Sequence, residues 1–354
     1  MKIPAGLIAT LTLLIMTGCS QPELTDLQEL NTAYIKQIHY STPAFVEIMP
    51  YLETGQYAEL DAMFAEFEER FQDDPSAEYS FIQAYAVFAD IGRSDYPPLM
   101  SQLTAWIDTT GSAMAYTARG FFLAGEGFRF RGTRYLDAVP EQDLADARIF
   151  WSLALGDLRE AVRLNPGMTP AYQQIIGVAA QSGKRTLRQQ TFEAAIKAVP
   201  HSYQIRQMHA FYMQPRWGGS YEDAELIADQ AVVHAGRNPH LWRLHGDILD
   251  NQAYDCITDK DYSCAIERYT EAMKFGSTLS RLQRRAFSYY SVGQHDAALQ
   301  DIETAIAMNP EGPASEAAMR LMDWIREHQN NQAAGSARQK LRNLSFWEFS
   351  EIWQ

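Results

Sequence analysis

Short proline-terminated motifs recur through the second half of the chain, and their spacing constrains the fold more than any other feature. Leu164-Asn165-Pro166, Ala198-Val199-Pro200, Arg237-Asn238-Pro239 and Met308-Asn309-Pro310 each close an amphipathic segment, and the first two prolines stand 34 residues apart. The gaps from Pro200 to Pro239 and from Pro239 to Pro310 are one and two such periods with a few residues added. Between the prolines, apolar residues return at three- and four-residue spacing and nothing alternates for long enough to make a sheet, so the periodic unit is a pair of helices. A pair this short cannot bury its apolar face alone, and neighbouring units have to stack. The expected fold is therefore all-α, a solenoid of helical hairpins.

The clearest unit runs from Leu279 to Pro310, with Leu282, Ala286 and Tyr289 on a first helix, a turn at Gly293, then Ala298, Ile302 and Ala305 on a second. Small residues at 286, 298 and 305 let antiparallel helices approach, while Leu282, Tyr289 and Ile302 fill the space around them. This pattern resembles the tetratricopeptide repeat. Tyr172, Ile176, Ala179, Gly183, Phe192, Ala195 and Pro200 fit the same spacing, although Arg188 stands where that pattern has a small residue. Ala154, Leu158, Ala161 and Pro166 look like the second helix of a preceding unit, and Ala265, Tyr269 and Ala272 like another, after an insertion containing Cys256. By the resemblance, first-helix positions line a binding groove, which here includes Gln173, Gln283, Phe287 and Tyr290.

The rest of the chain divides around these repeats. Residues 43–145 keep a looser helical pattern, including Gly55, Tyr57, Leu60, Phe64 and Phe67, and form an irregular N-terminal region; the repeats occupy 146–310. In the remaining segment, 311–354, Ala317, Leu321, Trp324 and Ile325 suit a capping helix, and Phe346, Trp347, Phe349, Ile352 and Trp353 form an aromatic tail expected to fold back onto the solenoid.

At the N-terminus, Lys2, the apolar run Ile3 to Met16 and the triplet before Cys19 have the layout of an export signal. The run is too short to span a bilayer, which needs about 20 apolar residues. Met16-Thr17-Gly18-Cys19 resembles the lipobox of bacterial lipoproteins. That resemblance implies removal of residues 1–18, lipid on Cys19 and a tether over 19–42. Several acyl chains would hold the body at the membrane, and Ser20 resembles an outer-membrane sorting signal, so the expected location is the cell envelope, facing the periplasm.

A formal charge of −14, from 44 acidic against 30 basic side chains, argues against nucleic acid. In an oxidising compartment Cys256 and Cys264 would form a disulfide stapling an enlarged hairpin turn to the next helix, or else remain two free thiols.

Gln214-Pro-Arg-Trp-Gly-Gly-Ser220 interrupts a repeat between its helices, in the company of Arg119-Gly120 and Arg131-Gly132. Together these resemble a bacterial helical-repeat family of unknown function over about Gln56 to Ala231, and that family implies no activity. Two readings stand for Arg119, Arg131, Arg216, Trp217, Gly218 and Gly219: a specific site for an anionic group, or a Trp plug between helices with internally paired arginines. Glu68-Glu69 and Asp73-Asp74 are expected to be a solvated surface and a loop. The stretch from Gly177 to Lys184 has the wrong glycine spacing for a phosphate loop, and no zinc-protease or nucleophile-elbow motif occurs. The chain is expected to be a non-enzymatic interaction scaffold, needing no cofactor or metal and binding a protein or peptide. The alternatives are an envelope assembly factor holding a client and, behind it, an enzyme or small-ligand receptor.

Overall fold

The structure, a computed structural model, describes residues 45–89, 98–134, 138–308, 318–323 and 325–326. The leader, Cys19, the tether and the aromatic tail lie outside the described residues. Every regular element among the described residues is helical, and none of these helices is long and apolar enough to cross a membrane.

Four helices make the N-terminal region: α1 (Phe45–Thr54), α2 (Tyr57–Asp73), α3 (Glu78–Ala86) and α4 (Pro98–Thr110). Five antiparallel pairs follow, α5 (Ala113–Arg131) with α6 (Glu141–Leu164), α7 (Thr169–Gln181) with α8 (Arg185–Ala198), and α9 (Tyr203–Phe211) with α10 (Tyr221–Ala231). The last two are α11 (Arg243–Thr258) with α12 (Tyr262–Ala272), and α13 (Leu279–Ser291) with α14 (His295–Met308). The first helix of each later pair packs on both helices of the pair before it. The array begins one helix earlier than the repeat motifs indicate, because the expected boundary at 145/146 falls inside α6, which is paired with α5.

The repeat signature positions do the work assigned to them. Leu282, Ala286, Ala298, Ile302 and Ala305 are buried in one cluster, and Tyr172, Ile176, Phe192 and Ala195 in another. Ala318, Leu321 and Ile325 close the C-terminal cluster, the place expected for a capping helix. First turns are capped from the sequence: Ser202, Ser220, Asp261 and Thr278 each accept a hydrogen bond from a backbone N–H three residues on. The Asn-Pro motif also has a physical role. Asn238 Oδ1 accepts from the His240 N–H, and its amide donates to the His201 carbonyl at 2.8 Å, fastening one inter-repeat turn to the turn before it.

The N-terminal region is held by rings instead of a repeat. Phe64 lies 4.6 Å from Tyr85, 5.8 Å from Phe88 and 5.8 Å from Trp106, centroid to centroid. Asp61 fixes the edge of this cluster, accepting from Trp106 Nε1 at 2.9 Å and from Ser112, the residue that caps α5.

α3 packs against α5, α7 and α9, so the N-terminal region lies on the array instead of extending it. Two carboxylates make the seam. Glu78 accepts from Ser202 Oγ and from the backbone N–H groups of Tyr203 and Gln204, at 2.8 and 2.9 Å, and so serves the start of α9 from another helix. Burial pushes its carboxyl up to about 7, against the pull of those hydrogen bonds and of Arg206. Glu68 accepts from the Asn165 amide on both oxygens at 2.8 Å. It is buried, which corrects its assignment to a solvated surface, because the turn after α6 closes over it.

Candidate functional site

The site begins with a helix face. Asp247, Asp250, Asn251 and Tyr254 stand at i, i+3, i+4 and i+7 of α11, so they share one side of it. On α13, Arg281 and Arg284 are spaced in the same way and lie 34 residues after Asp247 and Asp250. One repeat therefore places two arginines against the two carboxylates of the repeat before it. Arg281 Nη2 donates to Asp247 Oδ1 at 2.6 Å and Arg284 Nη1 to Asp250 Oδ2 at 3.1 Å. The other oxygen of Asp247 accepts from the Tyr203 hydroxyl on α9.

Between α9, α11 and α13 lies a cavity of about 320 Å3. Met208, Phe211, Leu244 and Ile248 give it an apolar wall; Gln207, Gln214, Asp247, Asp250, Asn251 and Arg284 give it polar groups. No second helix of any hairpin contributes. Burial raises the Asp250 carboxyl above its ordinary value even though Arg281 and Arg284 draw it down. Burial also works against the Arg284 charge, but Asp250 and the neighbouring tyrosines hold its pKa above the usual value. Arg216 stands at the rim, donating to Asn251 Oδ1 at 2.8 Å and lying 5.5 Å from the ring centroids of both Phe211 and Tyr254.

The Gln214–Ser220 motif is a built turn. Pro215–Trp217 forms one turn of 3-10 helix, and the Gln214 carbonyl accepts from both Trp217 and Gly219. Gly218 has φ +79°, and a Cβ on Gly219 would fall 1.9 Å from the Met213 carbonyl oxygen, so only glycine closes this turn. Trp217 packs against Tyr212 at 5.0 Å and Phe211 at 5.9 Å, between the two helices. Arg188, the oversized residue of the preceding unit, donates to the Tyr212 carbonyl at 2.9 Å. The irregular residue and the extra loop therefore fit one another.

The arginines do not gather around Trp217, which corrects the anionic-site reading. Arg119 forms a two-pronged pair with Asp157 at 2.7 and 2.8 Å, and Gly120 beside it leaves room for Leu158, so Arg119-Gly120 is a contact surface for α6. Arg131 donates to the carbonyls of Gly132 and Arg134. Of that set, Arg216 touches the cavity's lining, through Asn251. Of the groove residues taken from the repeat resemblance, Gln173 and Gln283 are partly exposed. Phe287 and Tyr290 are 1% and 6% exposed, which removes them as partner contacts. Phe287 meets Tyr262 edge-on at 5.6 Å, inside the core of the last two hairpins.

Cys256 and Cys264 are bonded, with Cα atoms 5.8 Å apart. Cys256 sits in the last turns of α11 and not in an insertion, so the bridge joins the end of one helix to the start of its partner across a short turn. Among the described residues no group of three or more histidines, cysteines and acids is placed to hold a metal.

Sequence reasoning missed Asp247, Asp250, Arg281 and Arg284. The signal was available, since acid and base of the same helical spacing recur one 34-residue period apart.

No family model and no curated protein matches the chain, so the resemblance of residues 56–231 to a family of unknown function finds no matching model. Among solved structures, the chain is similar to a tetratricopeptide repeat protein of Parabacteroides merdae. The two are 13% identical over 83% of this chain and 99% of that one, with a TM-score of 0.37. The all-α hairpin architecture rests on the period, the caps and the packing described above.

Proposed function

We propose that the protein is an interaction scaffold of the bacterial cell envelope, tethered through lipid on Cys19, which binds a segment of a protein partner on the face formed by its first helices. The observation that carries this reading is the cavity, whose walls come from three successive hairpins through α9, α11 and α13 and the residue Gln214. A surface shared by stacked repeats suits an extended segment, because each repeat offers a similar set of contacts along its length. Mixed apolar, amide and charged side chains in one concavity supply both an anchor and the polar groups that fix orientation. The order of leader, small residues and cysteine supports the lipid tether, and the acidic balance leaves attachment to the lipid rather than to anionic headgroups.

A photo-crosslinking residue placed at Gln207 in cells tests the reading. It should trap a defined partner, whereas the same residue at the exposed position Glu267 on α12 should not. Equal labelling at both positions, or none at Gln207, would contradict it. Replacing Cys19 by Ser should leave the Gln207 crosslink possible in solution but remove the protein from the membrane fraction; a variant that stays membrane-bound would refute the tether.

A further inference from the structure

Two acceptor oxygens in the cavity wall have no hydrogen-bond partner: Oε1 of Gln214, whose residue is 1% exposed, and Oδ1 of Asp250. Arg281 Nε lies 3.7 Å from that Asp250 oxygen, too long for a hydrogen bond. Arg281 is committed elsewhere, to Asp247 and to the Gly276 carbonyl, each at 2.6 Å. Arg284 is spent on the other Asp250 oxygen. Buried acceptors are ordinarily paired, and each one left open marks a place where a donor belongs.

Asp247, Asp250 and Arg284 are the charged residues that line the cavity, and Arg281 stands behind them on Asp247, so the two carboxylates meet two arginines and what stays open is acceptor capacity. Beside them Met208, Phe211, Leu244 and Ile248 offer only apolar surface. A group that satisfies both parts has an aliphatic stem and a donor-bearing, positively charged head. An acidic side chain fails, since it brings further acceptors to two oxygens that lack a donor. The volume of about 320 Å3 lies at the lower end of the range for ligand sites and suits one or two side chains.

We propose that the cavity between α9, α11 and α13 receives a lysine or arginine side chain of the bound protein segment, its stem along Phe211 and Ile248 and its head on Asp250 and Gln214. The inference rests on the partner-binding reading and adds the chemistry of the residue that is read. The incoming head shares the Asp250 carboxylate with Arg284, and a charged donor, which makes the stronger hydrogen bond to a carboxylate oxygen, is favoured there over a neutral one.

Selection of random peptides against the full chain, followed by titration of a selected peptide, tests it. The selected peptides should carry lysine or arginine at one fixed position. Changing that residue to norleucine should weaken binding at least about tenfold, as for loss of a hydrogen bond to a charged group. Asp250→Asn should impose a similar loss on the parent peptide and little further loss on the norleucine peptide, which assigns the two to one contact. Gln214→Leu, which removes an oxygen that has no partner within the chain, guards against a folding failure and should weaken binding several-fold at an unchanged melting temperature.

Peptides with an acidic or uncharged residue at the fixed position overturn the proposal while leaving the partner-binding reading intact. So does undiminished binding by both variants when the peptide still crosslinks at Gln207. A chain that selects no peptide and gives no crosslink at Gln207 loses both.

Discussion

The N-terminal region and the repeats are both packed helices, yet they are held together by different means. In the repeats, contacts recur at the period. Asp247 meets Arg281 and Asp250 meets Arg284, both 34 residues apart, so one helix face is tied to the same face of the next unit. Among the described residues of 45–110 the side-chain contacts follow no such spacing. Phe64, Tyr85, Phe88 and Trp106 crowd around one another from α2, α3, α4 and the end of α3, and their order in the chain follows no repeat. A periodic array carries its instructions in spacing, and a ring cluster carries them in shape. The first leaves a regular face open for a partner, while the second closes in on itself.

The largest effect that sharpens this contrast is expected at the ring cluster. Phe64→Ala removes a fully buried ring that touches four others and should cost about 3–5 kcal/mol in urea unfolding. The loss should fall on the N-terminal region first, seen as faster amide exchange in α2 and α4. Uniform loosening from α1 to α14 would show that the two regions are one cooperative unit.

Next comes the periodic coupling. Arg281 is 1% exposed and holds Asp247 together with the Gly276 carbonyl, so Arg281→Ala leaves one oxygen of a carboxylate and a carbonyl without this donor. Breaking a buried pair in this way costs about 3–5 kcal/mol. A loss below 1 kcal/mol would mean that the one-period pairs are decoration on a fold held by its apolar faces alone.

The seam between the regions should respond to pH. Folding raises the Glu78 carboxyl from 4.5 to about 7, chiefly through burial. A raised carboxyl contributes stability that is fully present below its unfolded value and is lost as the pH rises through 7, about 3 kcal/mol across that window. Glu78→Gln carries no proton to lose. Between pH 4.5 and pH 8 the wild type should therefore lose about 3 kcal/mol more than the variant. Buried His209 and His240, drawn down to about 3 and 4 by burial, act in the opposite direction and are common to both proteins, so the difference isolates Glu78. Parallel pH profiles would contradict this assignment.

The smallest effect belongs to the disulfide. Cys256 and Cys264 close a loop with a sequence separation of 8. Replacing both by serine should cost about 2 kcal/mol, near the value for so short a loop. The loss should be confined to α11–α14. Loss of partner binding in a folded double-serine variant would show that the bridge also shapes the first-helix face.

Much of this architecture is legible in the sequence because the repeat signature encodes contacts within and between adjacent helices. Ala286, Ala298 and Ala305 stay small where helices touch, and Asn238 sits where a turn needs an acceptor and a reaching amide. What the pattern does not encode is how a neighbour dresses a particular face. Phe287 occupies a position that the resemblance assigns to the groove, but Tyr262 of the preceding hairpin stands opposite it, and the ring goes into the core. Arg119 and Arg131 look like an anion cluster along the chain, yet each is engaged locally, by Asp157 and by backbone carbonyls. Glu68 looks solvated until Asn165, 97 residues later, covers it. Contacts across such separations leave no local trace, whereas the acid–base ladder of α11 and α13 left a periodic one.

The most direct test of the account is amide hydrogen exchange on the full chain, alone and bound to the protein that crosslinks at Gln207. Binding on the first-helix face predicts added protection in α9, α11 and α13, with α8, α10 and α12 unchanged. Protection falling instead on the second helices, or along the exposed apolar stripe Ile149 and Leu153 of α6, would contradict it.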